Sequence, residues 1–163
     1  MAAVTDTTPK SAAWELVISR AFDAPRALVF EAWTDPARLV RWFGPRGFKI
    51  PSCKMDAREG GEFRIAMRSP EGTEHRVRGV FREVVKPERL AFTWAWEDEE
   101  GRPKHETVVR VDFTEQGGKT RLRMQQGVFE SANVRDQHES GWSSSLDDLA
   151  DYLREIAGDG RQA

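Results

Sequence analysis

The sequence predicts an α+β fold in which a curved, seven-stranded antiparallel sheet wraps around one long C-terminal helix. Two observations predict this architecture. Residues 48–129 alternate apolar and polar side chains between turn residues, whereas residues 139–158 place apolar side chains three and four positions apart. Because an antiparallel sheet with one apolar face must cover that face, we expect the final helix to pack against it.

The first elements are predicted to be one strand and two short helices. Residues 14–22 alternate apolar and polar side chains, as a half-buried strand does. Pro25 is a favourable first helical residue, and the apolar residues after it recur at helical spacing. A second short helix is predicted with Asp35 as its cap, Pro36 at its first position and Gly44-Pro45 as its end.

Six further strands and a helix complete the prediction. The final helix is predicted from the spacing of Trp142, Leu146, Leu149 and Leu153, and it is expected to stop at Gly158. Five turn segments separate the six strands. These segments are Glu59–Gly61, Ser69–Gly72, Val85–Glu88, Asp98–Pro103 and Glu115–Gly118.

Length and composition limit the class of protein. The 163 residues predict one domain over 13–157, between disordered tails at 1–12 and 158–163. A net charge of −2 argues against a nucleic-acid-binding surface, and no apolar run is long enough to cross a membrane. The N-terminus lacks the features of a signal peptide, and the single cysteine, Cys53, is expected to be a buried, inert thiol. These features predict a cytoplasmic protein.

Five segments carry a resemblance to a known family. In order they read AFDAPRALVFEAWTDPARLVRWFGP, REGGEFR, GVFREVVKPERLAFTWAW, GKTRLRM and HESGWSSSLDDLADYL. Together they resemble the bacterial homologues of the activator of the 90-kDa heat-shock protein ATPase, within the START-like (SRPBCC) superfamily. The resemblance covers Trp14 to Ile156. It implies the helix-grip fold, with a hydrophobic cavity between sheet and helix, but fold alone does not give the task.

The inner face of the predicted sheet favours ligand binding. Strand alternation directs an excess of aromatic and methionine side chains toward the final helix, and the second short helix cannot bury both of its aromatic rings. We therefore predict non-enzymatic binding of a small, mainly hydrophobic molecule, with no cofactor. The candidate binding residues are Trp42, Phe43, Phe63, Met67, His75, Val77, Phe81, Trp94, Trp96, His105, Val109, Met124, Gln126, Trp142 and Leu146.

Polar residues on this face leave alternatives open. His75 and His105 are predicted to share one end of it, where they either orient a ligand and exchange protons or lie half in water without a task. With Glu83, whose pKa a cavity would raise, they define an alternative function as a cyclase or hydrolase. His138 is expected to cap or pack at the start of the final helix, and the three histidines share no spacing typical of a metal site.

The outer face of the sheet is predicted to be basic. Its arginines either pair with acids on neighbouring strands or form a docking face for an acidic partner. The second possibility fits another alternative that the resemblance implies, an interaction with a chaperone, and the protein is expected to be a monomer or a homodimer. The arginines are Arg64, Arg68, Arg76, Arg78, Arg82, Arg110, Arg121 and Arg123.

Overall fold

A computed structural model describes the backbone of residues 14–162 and the side chains up to Ile156. The predicted order of elements is confirmed, and the predicted tail over residues 1–12 lies outside the described part of the chain. The elements are β1 (Leu16–Phe22), α1 (Arg26–Thr34), α2 (Pro36–Leu39), β2 (Lys49–Met55), β3 (Glu62–Arg68), β4 (Glu74–Val85), β5 (Arg89–Glu97), β6 (Pro103–Gln116), β7 (Lys119–Gly127) and α3 (Ala132–Gln162).

The seven strands form one antiparallel sheet in the order β1-β7-β6-β5-β4-β3-β2. β7 therefore pairs with β1, which forms one edge of the sheet, and β2 forms the opposite edge. Alternation sets the two faces, as β7 shows: Leu122, Met124 and Gln126 are buried, and Arg121 and Arg123 are exposed. The curved sheet packs its buried face on α3, which confirms the predicted helix-grip architecture.

The two short helices begin close to where the sequence predicts. Pro25 precedes α1, and the Asp35 carboxylate accepts a hydrogen bond from the Ala37 backbone N–H at 3.0 Å, which caps α2. However, α2 ends at Leu39 rather than at Gly44. The backbone N–H groups of Trp42 and Phe43 both turn back to the Leu39 carbonyl, so the chain leaves the helix as a tight turn before Gly44.

Helix α3 is longer than predicted at both ends. It starts at Ala132 because Ser131 caps it, with the Ser131 hydroxyl accepting from the Val134 N–H at 3.1 Å. It continues to Gln162, so the predicted stop at Gly158 is wrong. Glycine lowers helix stability by only about 1 kcal/mol relative to alanine and does not by itself end a helix.

A bulge in β4 overturns one face assignment. The register of β4 on β5 shifts between Phe81 and Glu83, so one extra residue reverses the alternation that follows. Glu83 therefore lies on the outer face, where it pairs with Arg89 at 3.2 Å and with Arg110 at 3.6 Å. The expectation that Glu83 faces the cavity is wrong for this reason.

Arginines from two places form ion pairs with α3. Arg20 of β1 pairs with Asp147 at 2.6 Å, and Arg41, after α2, pairs with Glu155 at 3.3 Å. Exposed pairs of this kind contribute about 0–1 kcal/mol each, so they add little to the stability of the fold. Among the described helices, none is long and apolar enough to cross a membrane.

Candidate functional site

A cavity of about 260 Å³ lies between the sheet and the N-terminal half of α3. Its walls come from three places: the segment between α2 and β2, the inner faces of β3 to β5, and one stripe of α3. Aromatic side chains predominate among the lining residues. These residues are Phe43, Gly44, Pro45, Phe48, Met67, His75, Trp94, Trp96, Gln137, His138, Gly141, Trp142 and Ser145.

Four aromatic rings form the continuous deep wall of this cavity. Trp94 lies 5.1 Å from Trp142 and 5.5 Å from Trp96, measured between ring centroids, and Phe43 lies 5.7 Å from Trp142. The ring planes meet at 47° to 87°, so faces and edges alternate around the wall. An aromatic ligand can therefore make both edge-to-face and offset contacts here.

A buried chain of hydrogen bonds fixes the position of Trp142. Its indole N–H donates to the Gln126 side-chain oxygen at 2.8 Å, and the Gln126 amide donates to the Thr107 hydroxyl at 2.9 Å. The Thr107 hydroxyl donates in turn to the Trp94 backbone carbonyl at 3.4 Å. Because Gln126 is fully buried, both of its bonded atoms serve the wall and not a ligand, contrary to its prediction as a binding residue.

His138 is held as a neutral imidazole at the cavity wall. Its Nε2 accepts from the Trp96 indole N–H at 2.9 Å, so its Nδ1 carries the proton that it shares with the Val134 carbonyl at 2.8 Å. Burial lowers the pKa of His138 below its ordinary value of 6.5, against a weaker raising effect of the Val134 hydrogen bond. Phe129 also packs on this ring, with 4.7 Å between centroids. His138 therefore packs as expected, in the second turn of α3 and at the cavity wall.

The segment Gly44–Phe48, here called the strap, closes one side of the cavity. Gly44 and Gly47 have φ values of +95° and +92°, which permit the sharp change of direction after Phe43. The Arg46 backbone N–H donates to the Ser144 hydroxyl at 2.8 Å, and its guanidinium donates to Asp148 at 2.6 Å. These bonds attach the strap to α3 beside the cavity.

His75 lies at the exposed mouth of the cavity. Its ring is 6.3 Å from Phe48 and 6.4 Å from Trp96, measured between centroids. The predicted cross-strand neighbours Met67 and Val77 are observed, since Met67 pairs with His75 and Val77 with Trp96. His75 is thus the only one of the two predicted histidines that lines the cavity.

His105 lies elsewhere because the register of β5 on β6 shifts between Ala95 and Glu97. Its ring is exposed and its Nε2 donates to the Val128 carbonyl at 2.7 Å. The expectation that two histidines share one end of the inner face is therefore wrong for His75 and His105. His138, which was expected to cap or pack at the start of the final helix, is the second histidine at the cavity.

Other predicted binding residues lie in the core instead of at the cavity. Trp42 is buried and donates its indole N–H to the Ala32 carbonyl at 3.1 Å, whereas its neighbour Phe43 lines the cavity. Phe63 and Phe81 face a separate void of about 20 Å³. The remaining four are fully buried among apolar neighbours, so they do not line the cavity. These are Val77, Val109, Met124 and Leu146.

Seven lining residues were not predicted. Gly44, Pro45 and Phe48 belong to the strap, whose position depends on tertiary contacts. His138, Gly141 and Ser145 are spaced by three and four residues, so they form one stripe of α3, and Gln137 borders it. This spacing could have indicated the stripe if the final helix had been predicted to start at the Ser131 cap.

The described residues also bear on metal and thiol chemistry. Among them, no group of three or more His, Cys, Asp or Glu side chains is placed to hold a metal ion. Burial raises the pKa of the Cys53 thiol to about 11, so at neutral pH it is protonated and a poor nucleophile.

The chain resembles a set of bacterial proteins of known structure. The profile of a family described as "Activator of Hsp90 ATPase homolog 1-like protein" matches residues 23–154. A crystal structure of an AHSA1 protein from Silicibacter pomeroyi is 30% identical, with a TM-score of 0.78, over 89% of this chain and 99% of that one.

Two further structures agree with this similarity. A protein from Nitrosomonas europaea is 27% identical, with a TM-score of 0.76, over 90% of this chain and 98% of that one. A solution structure from Arthrobacter aurescens is 26% identical, with a TM-score of 0.78, over 89% of this chain and 88% of that one. Comparison with curated proteins found no match.

Proposed function

Because the chain belongs to the family of activator of Hsp90 ATPase homolog 1-like proteins, we propose that it binds a small, mainly hydrophobic molecule in the cavity between the sheet and α3. The observation that carries the proposal is the cavity itself, which has a volume of about 260 Å³ and a wall of aromatic and methionine side chains. A pocket of this kind, mainly apolar with a few polar groups, is typical of small-molecule sites.

The contacts of the polar residues favour binding without catalysis. General acid or base chemistry needs a titratable group within hydrogen-bonding reach of the substrate. Glu83 and His105 lie outside the cavity, and both ring nitrogens of His138 are engaged by Trp96 and Val134. Of the residues considered for acid or base work, this leaves His75 at the cavity mouth.

Calorimetry with a blocked variant tests the proposal. Tetralin, an apolar bicyclic hydrocarbon, is expected to bind the wild-type protein, and Gly141→Leu is expected to abolish binding, because residue 141 faces Pro45 across the cavity mouth. The matched control is Ser140→Leu, which adds the same side chain at the exposed neighbouring position. Equal binding to both variants, or no binding to the wild type, would contradict the proposal.

Native mass spectrometry of protein purified gently from its own host is the complementary measurement. A small molecule that is retained by the wild type and by the Ser140→Leu variant, but is absent from the Gly141→Leu variant, would be identified as the natural ligand. The same spectrum reports whether the protein is a monomer or a homodimer.

The family description favours a second candidate function, contact with a chaperone ATPase. Its predicted docking face, however, is largely occupied by pairing within the sheet. Six of the eight outer arginines contact acids on neighbouring positions: Arg64 and Arg78 contact Glu97, Arg68 and Arg76 contact Glu74, Arg82 contacts Glu106, and Arg110 contacts Glu83.

The remaining two arginines make the second candidate testable. Arg123 donates to the neutral Gln125 side chain, and Arg121 forms no ion pair with a described residue. The candidate predicts faster ATP hydrolysis by the 90-kDa chaperone of the same cell when the protein is added, and loss of that effect in Arg121→Glu. An unchanged hydrolysis rate at saturating protein would exclude it.

A further inference from the structure

The strap forms one side of the cavity mouth and approaches both of the elements that complete it. The Phe48 ring lies 6.3 Å from the His75 ring of β4, measured between centroids. A Cβ atom placed on Gly141 of α3 would lie 3.7 Å from the Pro45 ring. All four residues line the cavity. A ligand that enters between the sheet and α3 therefore passes beside the strap.

Little buried surface holds the strap in place. Phe43 and Gly44 are buried, but none of residues 45–50, all of which the structure describes, is fully buried. The pairing of β2 with β3 is also irregular at this end, because the register shifts between Lys49 and Ser52. Segments with few buried apolar contacts open locally at a lower free energy than core strands do.

Residues 45–48 form a tight turn that can move as one piece. The Phe48 backbone N–H donates to the Pro45 carbonyl at 3.0 Å, and Gly47, the third residue of the turn, has a φ of +92°. Gly44 precedes the turn with a φ of +95°. Because lid motions are absorbed at a few loop positions, and glycine accepts a wide range of φ and ψ, Gly44 is suited to be the hinge.

Arg46 ties this turn to α3. Its backbone N–H donates to the Ser144 hydroxyl at 2.8 Å, and its guanidinium donates to the Asp148 carboxylate at 2.6 Å. The Arg46 side chain is 68% exposed, and an ion pair of such exposure shifts an equilibrium by about fivefold at most. Bonds of this strength favour the closed turn without making it permanent.

We propose, resting on the proposed function, that the strap is a lid: the turn swings away from α3 about Gly44 to widen the mouth for a ligand, and the bonds of Arg46 latch it closed. None of the described residues that line the cavity is Arg46, Ser144 or Asp148, so the latch acts on the passage of the ligand and not on its contacts once bound. Breaking the latch raises the open fraction of both the free and the bound protein. Association and dissociation then accelerate by the same factor.

Stopped-flow kinetics with tetralin test the latch. Tryptophan fluorescence follows binding, since Trp94 and Trp142 line the cavity. Arg46→Gln is expected to raise the association and dissociation rate constants about two- to fivefold each and to change Kd by less than about twofold. The matched control is Arg41→Gln, which removes an arginine that pairs with Glu155 of α3 from outside the strap, and it should keep both wild-type rates.

A substitution on α3 tests the same ion pair from the other side. Asp148→Asn should raise both rate constants about as much as Arg46→Gln does. The double variant should exceed the faster single variant by less than about 1.5-fold, because both substitutions delete one interaction. Single effects that multiply in the double variant would show that the two residues act separately, which would overturn the latch.

Hydrogen exchange of the Arg46 amide measures the opening in the absence of a ligand. This N–H is bonded to Ser144 in the closed turn, so it exchanges when the turn leaves α3. Asp148→Asn should speed the exchange of this amide about two- to fivefold in the unliganded protein, and Arg41→Gln should leave it unchanged. Equal exchange in Asp148→Asn and the wild type would contradict the lid.

The kinetic outcomes separate the lid from the binding function. If tetralin binds, but Arg46→Gln and Asp148→Asn leave both rate constants unchanged or change only one of them, the lid is wrong and the binding function stands. If tetralin does not bind the wild-type protein, the binding function fails, and the lid fails with it as a route for a ligand, whatever the amide exchange shows.

Discussion

His138 combines packing, hydrogen bonding and a place in the cavity wall. It contacts Phe129, accepts a hydrogen bond from Trp96 and lines the cavity, all as a neutral ring. The arrangement positions Trp96 in the wall, because the Trp96 indole N–H has a fixed acceptor. Protonation of Nε2 would remove that acceptor and place a charge among aromatic rings, so His138 links the shape of the wall to pH.

Acidification should therefore destabilise the fold through His138. The folded-state pKa is lowered below 6.5, so the unfolded chain binds this proton more readily, and stability is lost as pH falls from 6.5 through the folded-state value. The melting temperature of the wild type should fall more steeply over this range than that of His138→Gln. His105→Gln, which alters an exposed histidine, is the control and should keep the wild-type slope. Parallel slopes for all three proteins would contradict the assignment.

Single-residue predictions failed where a bulge intervened. Alternation correctly placed Met67, Trp94 and Trp96 on the inner face, because the period of a strand is fixed at two. It misplaced Glu83 and His105, each of which lies beyond a register shift. The two shifts lie at Phe81–Glu83 and Ala95–Glu97, where no glycine in the sequence marks them.

Helix α3 combines a face packed on the sheet with a stripe that lines the cavity. Leu146, Leu149 and Leu153 are buried against the sheet and account for its predicted periodicity. The stripe of His138, Gly141 and Ser145 was missed because it contains no apolar side chain, and periodicity analysis counts apolar residues. The helix side of the cavity wall does not need hydrophobic side chains, because the sheet already supplies aromatic rings.

Gly141 should be a point where stability and binding conflict. An alanine side chain here would contact Pro45 at an ordinary 3.7 Å, and alanine favours a helix interior over glycine by about 1 kcal/mol. We expect Gly141→Ala to raise the free energy of unfolding by about 0.5–1 kcal/mol and to weaken tetralin binding, because the methyl group narrows the mouth. Denaturant titration and calorimetry measure the two effects.

The control for this prediction is Ser140→Ala, which changes an exposed helical neighbour. It should gain a few tenths of a kcal/mol at most and leave binding unchanged. A Gly141→Ala protein that is less stable than the wild type would show that the strap cannot tolerate the added methyl group.

The two edges of the sheet differ in burial. β1 buries Leu16, Ile18 and Phe22 and is tied to α3 by Arg20. β2, the opposite edge strand, contains no fully buried residue. The order of strands was predictable from the element order, but this asymmetry was not, because it depends on how α3 crosses the sheet.

Hydrogen exchange should report the asymmetry. Amides of β2 are expected to exchange through local opening, well before global unfolding, whereas those of β5, β6 and β7 should be the slowest. Mass spectrometry of peptides from exchanged protein measures both. Equal protection in β2 and β6 would mean that the sheet opens only as one unit.

The contacts among indoles have a consequence in photophysics. Trp33 lies 5.0 Å from Trp42 and 5.8 Å from Trp142, and Trp142 continues through Trp94 to Trp96. Rings this close transfer excitation energy to one another during the excited-state lifetime. Energy absorbed by Trp33 or Trp42 can therefore reach the tryptophans that line the cavity, where it is emitted as fluorescence or quenched. A single quenching molecule in the cavity should therefore reduce the fluorescence of all five indoles, including those of Trp33 and Trp42, which do not line the cavity.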